Sequence, residues 1–209
     1  MSPRVSERYK QQKKKELLQA AKRVFTAKGF HGATMQDVMD AAGVSRGALY
    51  AYFNNIEHVY EEVLRLEDEE GALAFQSEDD ARSYWEQLTG WLLSQKEELI
   101  AGKPTLAWAN AEYFLSLNHR KESGSESYMI MRYERLVEVL TSFFQKGVSE
   151  GEFNPRVPVE HIAHYLISSM DGIVLNTVRL GHELTKADEQ MEMLMFSLQS
   201  MLYRGGKED

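Results

Sequence analysis

The sequence contains no cysteine and only four prolines among its 209 residues. The absence of cysteine excludes disulfides, thiolate metal ligands and cysteine nucleophiles. No apolar run approaches the roughly 18–20 residues that a membrane-spanning helix needs, so we expect no membrane partner. The N-terminus is basic but has no apolar stretch of the kind found in secretory signals. The expected compartment is therefore the cytoplasm.

The composition is that of an ordinary globular protein, but its charge is unevenly distributed. Hydrophobic residues make up 43% of the chain and charged residues 27%, and a chain of this length can form one large domain or two small ones. The net charge is −8, yet residues 1–60 hold ten Lys and Arg against five Asp and Glu. This asymmetry favours a nucleic-acid-binding N-terminal part, although a solvated basic helix face would give the same count.

Repeated 3.6-residue spacing of apolar side chains predicts an all-α fold. The predicted helices cover residues 10–28, 34–43, 45–54, 56–74, 82–101, 104–118, 127–150, 158–181 and 187–204. Thr34 followed three residues later by Asp37 predicts a capping box at the start of the second helix. Gly29 suits a left-handed C-terminal cap of the first helix, and Ser45 is the natural N-cap of the third.

The third predicted helix has an outer face made of small side chains. A helical wheel places Leu49 and Phe53 on the inner side. The outer positions are Gly47, Ala48 and Ala51. Arg46 and Tyr50 lie along one edge of this outer face, and Tyr52 lies along the other. Such a helix can approach the floor of the major groove, where arginine can bind guanine O6 and N7. The alternative is a three-helix bundle whose small-residue face packs against another helix.

A wider set of residues around this helix pair falls in a recognisable order and spacing. The set is Gly29, Phe30, Gly32, Ala33, Thr34, Asp37, Val38, Ala41, Ala42, Gly43, Val44, Ser45, Gly47, Leu49, Tyr50, Tyr52, Phe53 and Glu57. It resembles the DNA-binding domain of the tetracycline-repressor (TetR) family over residues 11–71, with a helix-turn-helix at 34–53. The resemblance implies a dimeric transcriptional regulator, most often a repressor released from a palindromic operator by a small hydrophobic effector. Residues 72–209 would form the effector-binding and dimerisation domain.

The resemblance also implies roles for individual residues at the DNA. Base-reading positions would be Arg46, Gly47 and Ala48, and phosphate contacts would come from Thr34, Tyr50 and Tyr52. The full predicted DNA-binding set adds Ser45, Asn54 and Lys13. The family usually has a lysine just before the position of Glu57, but this chain has Ile56. We expect the basic N-terminal arm to supply part of the missing phosphate contact.

The C-terminal two-thirds of the sequence predicts a dimer interface and an effector pocket. The apolar helices at 158–181 and 187–204 could pair with the same helices of a second copy, or could simply close the monomer core. The residues expected to contact an effector are Trp85, Trp108, Glu112, Tyr113, Met129, Tyr133 and Met170. Aromatic residues at helical spacing are also typical of a plain core.

No sequence motif indicates catalysis, a metal or a cofactor. His161 and His164 lie three residues apart on one predicted helix, which could hold a metal but is more typical of polar surface positions. The chain has no P-loop, nucleophile elbow or glycine-rich dinucleotide turn. We therefore expect that the protein is not an enzyme and that it binds no cofactor. There are two alternatives to a repressor released by a small effector. The protein could be a regulator without a small-molecule effector that responds to a protein partner, or a helical enzyme with an aromatic substrate pocket.

Overall fold

The computed structural model describes residues 7–72, 82–101, 105–117 and 124–203. Within these ranges all regular secondary structure is helical and no strand occurs, which confirms the all-α prediction. The ten helices are α1 (Glu7–Gly32), α2 (Met35–Ala42), α3 (Arg46–Tyr50), α4 (Ile56–Ala72), α5 (Tyr84–Ile100), α6 (Ala107–Leu117), α7 (Gly124–Ser149), α8 (Val159–Leu180), α9 (His182–Thr185) and α10 (Ala187–Leu202).

The helix boundaries differ from the predicted ones mainly at α1, α3 and α9. Helix α1 covers Glu7–Gly32 rather than 10–28, because Gly29 (φ 72°, ψ 179°) forms a kink inside the helix and not its C-terminal cap. The prediction of a helix over 45–54 is too long, because α3 covers only five residues. The four-residue helix α9 was not predicted, and it is bounded by Gly181 and by Lys186, whose φ angles are 84° and 53°. The predicted helix ends at 74, 104, 118 and 204 lie outside the described residues.

The chain forms two compact units, and each unit is built from two separate segments of the sequence. The first unit comprises Met1–Glu70 together with Pro104–Glu122, and the second comprises Gly71–Lys103 together with Ser123–Asp209. Helix α6 therefore belongs to the first unit, although the sequence-based division at residue 71 assigns it to the second domain. This placement follows from the packing of α6 on α1.

The core of the first unit is built around an aromatic cluster. The Phe25 and Tyr60 ring centroids are 4.6 Å apart, and those of Phe30 and Tyr113 are 4.7 Å apart. Phe25, Tyr60 and Tyr113 have at most 1% of their surface exposed. Leu49 and Phe53 are fully buried in the same unit, as the helical wheel predicted. The ring contacts join α1 to α4 and α6.

The core of the second unit is mainly aliphatic and phenylalanine-rich. Helix α10 contributes a stripe of buried side chains, namely Met191, Leu194, Leu198 and Leu202. Their neighbours in the core include Leu88, Leu92, Phe143, Phe144, Ile162 and Leu166. No helix among the described residues is both long and apolar enough to span a bilayer.

Candidate nucleic-acid interface

The N-terminus of α2 is fixed by the predicted capping box. The Thr34 hydroxyl accepts a hydrogen bond from the Asp37 backbone N–H at 3.2 Å, and the Asp37 carboxylate accepts one from the Thr34 backbone N–H at 3.1 Å. Lys28 forms an ion pair with Asp37 at 2.7 Å. The Lys28 ammonium, and after it the Thr34 hydroxyl, lowers the pKa of the Asp37 carboxyl below its ordinary value. Thr34 thus stands exposed at a rigid helix start.

A three-residue turn joins α2 to α3. Gly43 adopts the left-handed region with φ 62° and ψ 38°, and its N–H donates to the carbonyl of Asp40 at 3.3 Å. This conformation is one that glycine adopts at little cost, and it reverses the chain at the end of α2. The Ser45 hydroxyl then accepts the backbone N–H of Ala48 at 3.4 Å. Residues 34–53 therefore form a helix-turn-helix, as predicted.

The small-residue face of α3 points outward. Arg46, Gly47, Ala48 and Ala51 are all exposed. A Cβ added at Gly47 would meet no atom of the described residues within 4 Å. This face is therefore not packed against another helix of the described chain. Because the side chains on this face are small, the backbone of α3 can come close to the floor of a major groove.

Arg46 lies along one edge of this face, above an aromatic ring. Its guanidinium carbon is 5.1 Å from the centroid of the Tyr50 ring, a cation–π distance. Tyr50 is 40% exposed. The stacking restricts the arginine to the α3 edge while leaving its nitrogen atoms able to donate. The bidentate contact of Arg46 to guanine remains a prediction.

A cleft of about 450 Å³ lies beside Arg46 and contains a residue that the sequence reasoning missed. Its lining residues are Met35, Gln36, Met39, Val44, Ser45, Arg46 and Tyr50. Gln36 is exposed, and its amide nitrogen donates to the Asp40 carboxylate at 2.8 Å. A glutamine amide can bind adenine N6 and N7. The sequence feature that could have identified Gln36 is its position in the first turn of α2, two residues after Thr34.

The segment after α3 is organised by His58, which was not singled out in the sequence. Its Nδ1 accepts the backbone N–H of Asn54 at 3.3 Å, and its own backbone N–H donates to the Asn55 side chain at 2.8 Å. Asn54 is exposed, whereas Tyr52 and Ile56 are half-buried. Asn54 and Tyr52 therefore follow α3 directly, at the junction with α4.

Lysines of α1 are paired with carboxylates along the helix and across to α4. Lys13 pairs with Glu16 at 3.2 Å. The pairs between α1 and α4 are Lys14–Glu62 at 2.5 Å, Lys15–Glu70 at 3.4 Å and Lys22–Glu67 at 2.6 Å. These side chains are partly exposed, so each pair stabilises the fold little. A lysine such as Lys13 must exchange its carboxylate for a phosphate to contact DNA.

The seven residues predicted to contact an effector are divided between the two units. Trp108, Glu112 and Tyr113 lie on α6 in the first unit, where Tyr113 is buried. Trp85, Met129, Tyr133 and Met170 lie in the second unit.

The four in the second unit have different surroundings. Met129 and Met170 are buried, and the Trp85 ring packs edge-on against Tyr203. The Tyr133 hydroxyl is hydrogen-bonded to His164 at 2.7 Å, and both residues line a cleft of about 590 Å³. No group of three His, Asp or Glu side chains in the described ranges could hold a metal ion. The effector-binding set therefore remains a prediction.

Comparison with known proteins gives concordant matches to both parts of the chain. A family model described as bacterial regulatory proteins, tetR family, matches residues 17–63, and one described as tetracyclin repressor-like, C-terminal domain, matches residues 87–188. The uncharacterized HTH-type transcriptional regulator YfiR of Bacillus subtilis is 34% identical over 188 residues, covering 90% of each chain. The HTH-type transcriptional repressor AcnR of Corynebacterium glutamicum is 24% identical over 161 residues, covering 77% of this chain and 79% of AcnR.

A solved structure has the same fold. The transcriptional regulator of the TetR family from Cytophaga hutchinsonii superposes with a TM-score of 0.74 at 17% identity, covering 97% of this chain and all of the other. The helix-turn-helix, together with the family model and relatives named as transcriptional regulators, places the chain among the helix-turn-helix transcriptional regulators. This chain belongs to the TetR family of bacterial regulatory proteins. It is not an enzyme, so the alternative of a helical enzyme is wrong.

Proposed function

We propose that the protein is a two-fold dimeric repressor that binds a palindromic DNA operator and is released by a small hydrophobic effector. The observation that carries the DNA-binding part is the open small-residue face of α3 with Arg46 at its edge. In a dimer, the two α3 helices would enter successive major grooves about 34–36 Å apart. AcnR, a relative, is named a repressor, which supports repression here.

The proposed contacts divide into base-reading and phosphate-binding groups. Arg46 would bind guanine, the Ala48 methyl would touch a thymine methyl, and Gly47 would permit the close approach. Gln36 would add an adenine contact from the cleft beside Arg46. The remaining predicted set would hold phosphates and fix the register, namely Thr34, Ser45, Tyr50, Tyr52, Asn54 and Lys13.

The proposed dimer uses outward faces of α8 and α10. Large apolar side chains are exposed on both helices, including Tyr165 and Leu180 of α8 and Met193 and Phe196 of α10. Met193 and Phe196 are 61% and 62% exposed, on the side of α10 opposite its buried stripe. Apolar surface of this kind marks an interaction site, and a two-fold axis would cover it with the same surface of a second copy.

The effector would be a small apolar molecule bound by aromatic and methionine side chains. The proposed contacts are the aromatic and methionine residues of the predicted set in α5–α8, of which Met129 and Met170 are buried and Tyr133 lines a cleft. A ligand that binds the folded protein raises the melting temperature by mass action. A thermal-shift screen of apolar compounds, followed by operator release, tests this part. A protein-controlled regulator would give no shift that also releases DNA.

The DNA-binding proposal is tested by replacing Arg46. Duplex sequences bound by the full chain are first enriched from a random library, and affinities are then measured for every single-base variant of the site. We expect Arg46→Ala to weaken binding to the preferred sequence by roughly 1–3 kcal/mol and to relax the preference at one base pair per half-site. The matched control is Arg135→Ala, at an exposed position of α7 in the second unit. An equal loss on all sequences would instead make Arg46 a phosphate contact.

A further inference from the structure

We propose that Glu112 of α6 is a positioning residue for the DNA-reading helix pair. Its carboxylate holds the kinked end of α1, a turn at residues 29–33 that begins inside the helix at Gly29 and leads into Thr34 and α2. Glu112 would affect operator affinity through this turn rather than by touching DNA. The inference rests on the proposed function, because its readout is operator binding.

The turn begins at Gly29, where the backbone leaves the helical conformation. Gly29 has φ 72° and ψ 179°, and a positive φ of this size favours glycine. A Cβ at this position would lie 2.6 Å from Oε2 of Glu112 and 3.0 Å from a carbon of the Trp108 ring. Helix α6 therefore rests directly on the Gly29 backbone, in space that a side chain would fill.

Glu112 supplies the acceptor that the kink makes necessary. A non-helical residue interrupts the i→i−4 hydrogen-bond ladder, so N–H groups just beyond it need acceptors from elsewhere. The backbone N–H of His31 donates to Oε2 of Glu112 at 3.0 Å. His31 is three residues before Thr34, the N-cap of α2 and a proposed phosphate contact. The carboxylate thus fixes the chain immediately before the helix-turn-helix.

Neighbouring side chains of α6 hold Glu112 in place. The Tyr113 ring packs against Phe30 at 4.7 Å and against Tyr60 at 5.0 Å between centroids. The Tyr113 hydroxyl donates to the Glu61 carboxylate at 2.7 Å, and Asn110 accepts a hydrogen bond from the Tyr60 hydroxyl. These contacts tie α6 to both α1 and α4. The Glu112 carboxylate is therefore presented to the turn by a helix that is itself anchored.

This placement differs from the role that the sequence suggested for Glu112. The sequence made it a polar group that orients an effector, whereas in the structure its carboxylate is engaged by the backbone of α1. An acceptor used in this way acts through geometry. Its removal should change how well the helix pair is presented to DNA while leaving the base preference unchanged.

The test compares three variants of the full chain on the operator sequence recovered by selection. Glu112→Ala removes the acceptor, Glu112→Gln retains an oxygen that can accept the His31 N–H, and Glu98→Ala changes an exposed glutamate of α5. We expect Glu112→Ala to weaken operator binding roughly tenfold, since a backbone donor loses its partner. Glu112→Gln and Glu98→Ala should stay within about twofold of the unmodified protein.

Two further readouts test whether Glu112 acts through the His31 N–H and without touching DNA. Amide hydrogen exchange at His31 should accelerate in Glu112→Ala and return to normal in Glu112→Gln. The slope of log affinity against log salt concentration should not change, because no phosphate contact is removed. If Glu112→Ala does not fold, Glu112→Asp withdraws the carboxylate by one methylene and should also weaken binding.

The outcomes distinguish this inference from the proposed function. If the unmodified protein selects no duplex sequence, the proposed function fails and the positioning role falls with it. If it selects an operator and Glu112→Ala binds that operator equally well, only the positioning role is overturned. Equal losses in Glu112→Ala and Glu112→Gln would also overturn it, because the acceptor would then not be the operative feature.

Discussion

At the scale of single residues, Asp37 links the end of α1 to the start of α2. Its carboxylate accepts hydrogen bonds from the backbone and hydroxyl of Thr34 and forms an ion pair with Lys28. Lys28 and Thr34 together lower the pKa of this carboxyl. All of these partners favour the ionised form. The charge of Asp37 therefore contributes to the stability of the helix that carries the first proposed phosphate contact.

This arrangement makes the stability of the first unit depend on pH in a defined window. Because the folded-state pKa is lowered, the contribution is complete above the ordinary aspartate value near 3.9 and is lost as pH falls through the folded value. Asp37→Asn should cost about 1 kcal/mol of unfolding free energy at pH 7. The difference between the two proteins should shrink below about pH 4 as the Asp37 carboxyl is protonated.

Urea unfolding at a series of pH values measures both quantities. The matched control is Asp40→Asn, at an exposed carboxylate of the same helix that accepts the Gln36 amide. The control should be close to neutral at pH 7. A difference between Asp37→Asn and the unmodified protein that does not change with pH would contradict the account.

Residue roles set by local spacing were predictable, and those set by distant neighbours were not. The Thr34–Asp37 capping box and the burial of Leu49 and Phe53 follow from separations of three and four residues in the sequence. The contact between Glu112 and His31 joins positions 81 residues apart. No periodicity in the sequence encodes such a pair, so its role had to be found in the structure.

At the scale of helices, α5 begins at a carboxylate supplied by a distant loop. Oε2 and Oε1 of Glu152 accept the backbone N–H groups of Tyr84 and Trp85, each at 2.8 Å. These N–H groups lie in the first turn of α5, where no helical acceptor exists. Burial, followed by the nearby Glu152 charge, raises the pKa of Tyr203 to about 12. Tyr203 therefore stays protonated and can donate to Glu152.

Replacement of Glu152 should destabilise the second unit measurably. Glu152→Ala leaves two N–H groups at the start of α5 without their acceptor, and we expect a loss of about 1–3 kcal/mol in unfolding free energy. Glu150→Ala is the control, since Glu150 accepts an exposed hydrogen bond from the Tyr84 hydroxyl. Its loss should be about 0.5 kcal/mol or less. Equal losses in the two variants, measured by urea unfolding, would contradict this role of Glu152.

The lengths of α3 and α9 show where helix prediction reaches its limit. The apolar phase of the third helix continues to Phe53, which predicts a helix through residue 54. In the structure the Tyr52 N–H donates to the carbonyl of Leu49, so the chain tightens into a turn after Tyr50. Helix α9 is set by the backbone angles at Gly181 and Lys186. Periodicity in the sequence records which side chains face inward but not where the hydrogen-bond pattern changes.

At the scale of the whole molecule, the basic charge of the N-terminal part is balanced largely within the first unit. Lys14, Lys15 and Lys22 face glutamates of α4. The sequence count over residues 1–60 predicted a basic N-terminal part, but it could not show which lysines have internal partners. The proposed DNA surface would therefore use Arg46 and backbone and hydroxyl donors as well as lysines. Such donors bind phosphates and fix register without a large net charge.

The division into units shows a second limit at this scale. The family models place residues 87–188 in one C-terminal region, whereas α6 packs with α1 and belongs to the first unit. A division at a single sequence position assumes that each domain is one continuous segment of the chain. The assignment of α6 depends on Asn110, Glu112 and Tyr113 meeting partners on α1 and α4, which only the three-dimensional contacts reveal.

The proposed dimer makes operator binding a property of two copies, and a single change on α10 tests it. Phe196→Glu places a charge on the exposed apolar face of α10. Across a two-fold axis this charge would face apolar surface and its own copy, so association should weaken by several kcal/mol. Operator affinity should fall with it, because each half-site would then be bound separately.

Sedimentation equilibrium measures the association, and operator binding at matched concentrations measures its consequence. Leu184→Glu, at a 73% exposed position of α9, is the matched control and should remain dimeric with unchanged operator affinity. A Phe196→Glu protein that is still dimeric would exclude this face of α10 from the interface. A monomeric variant that binds the full operator as tightly as the unmodified protein would mean that recognition does not require two copies.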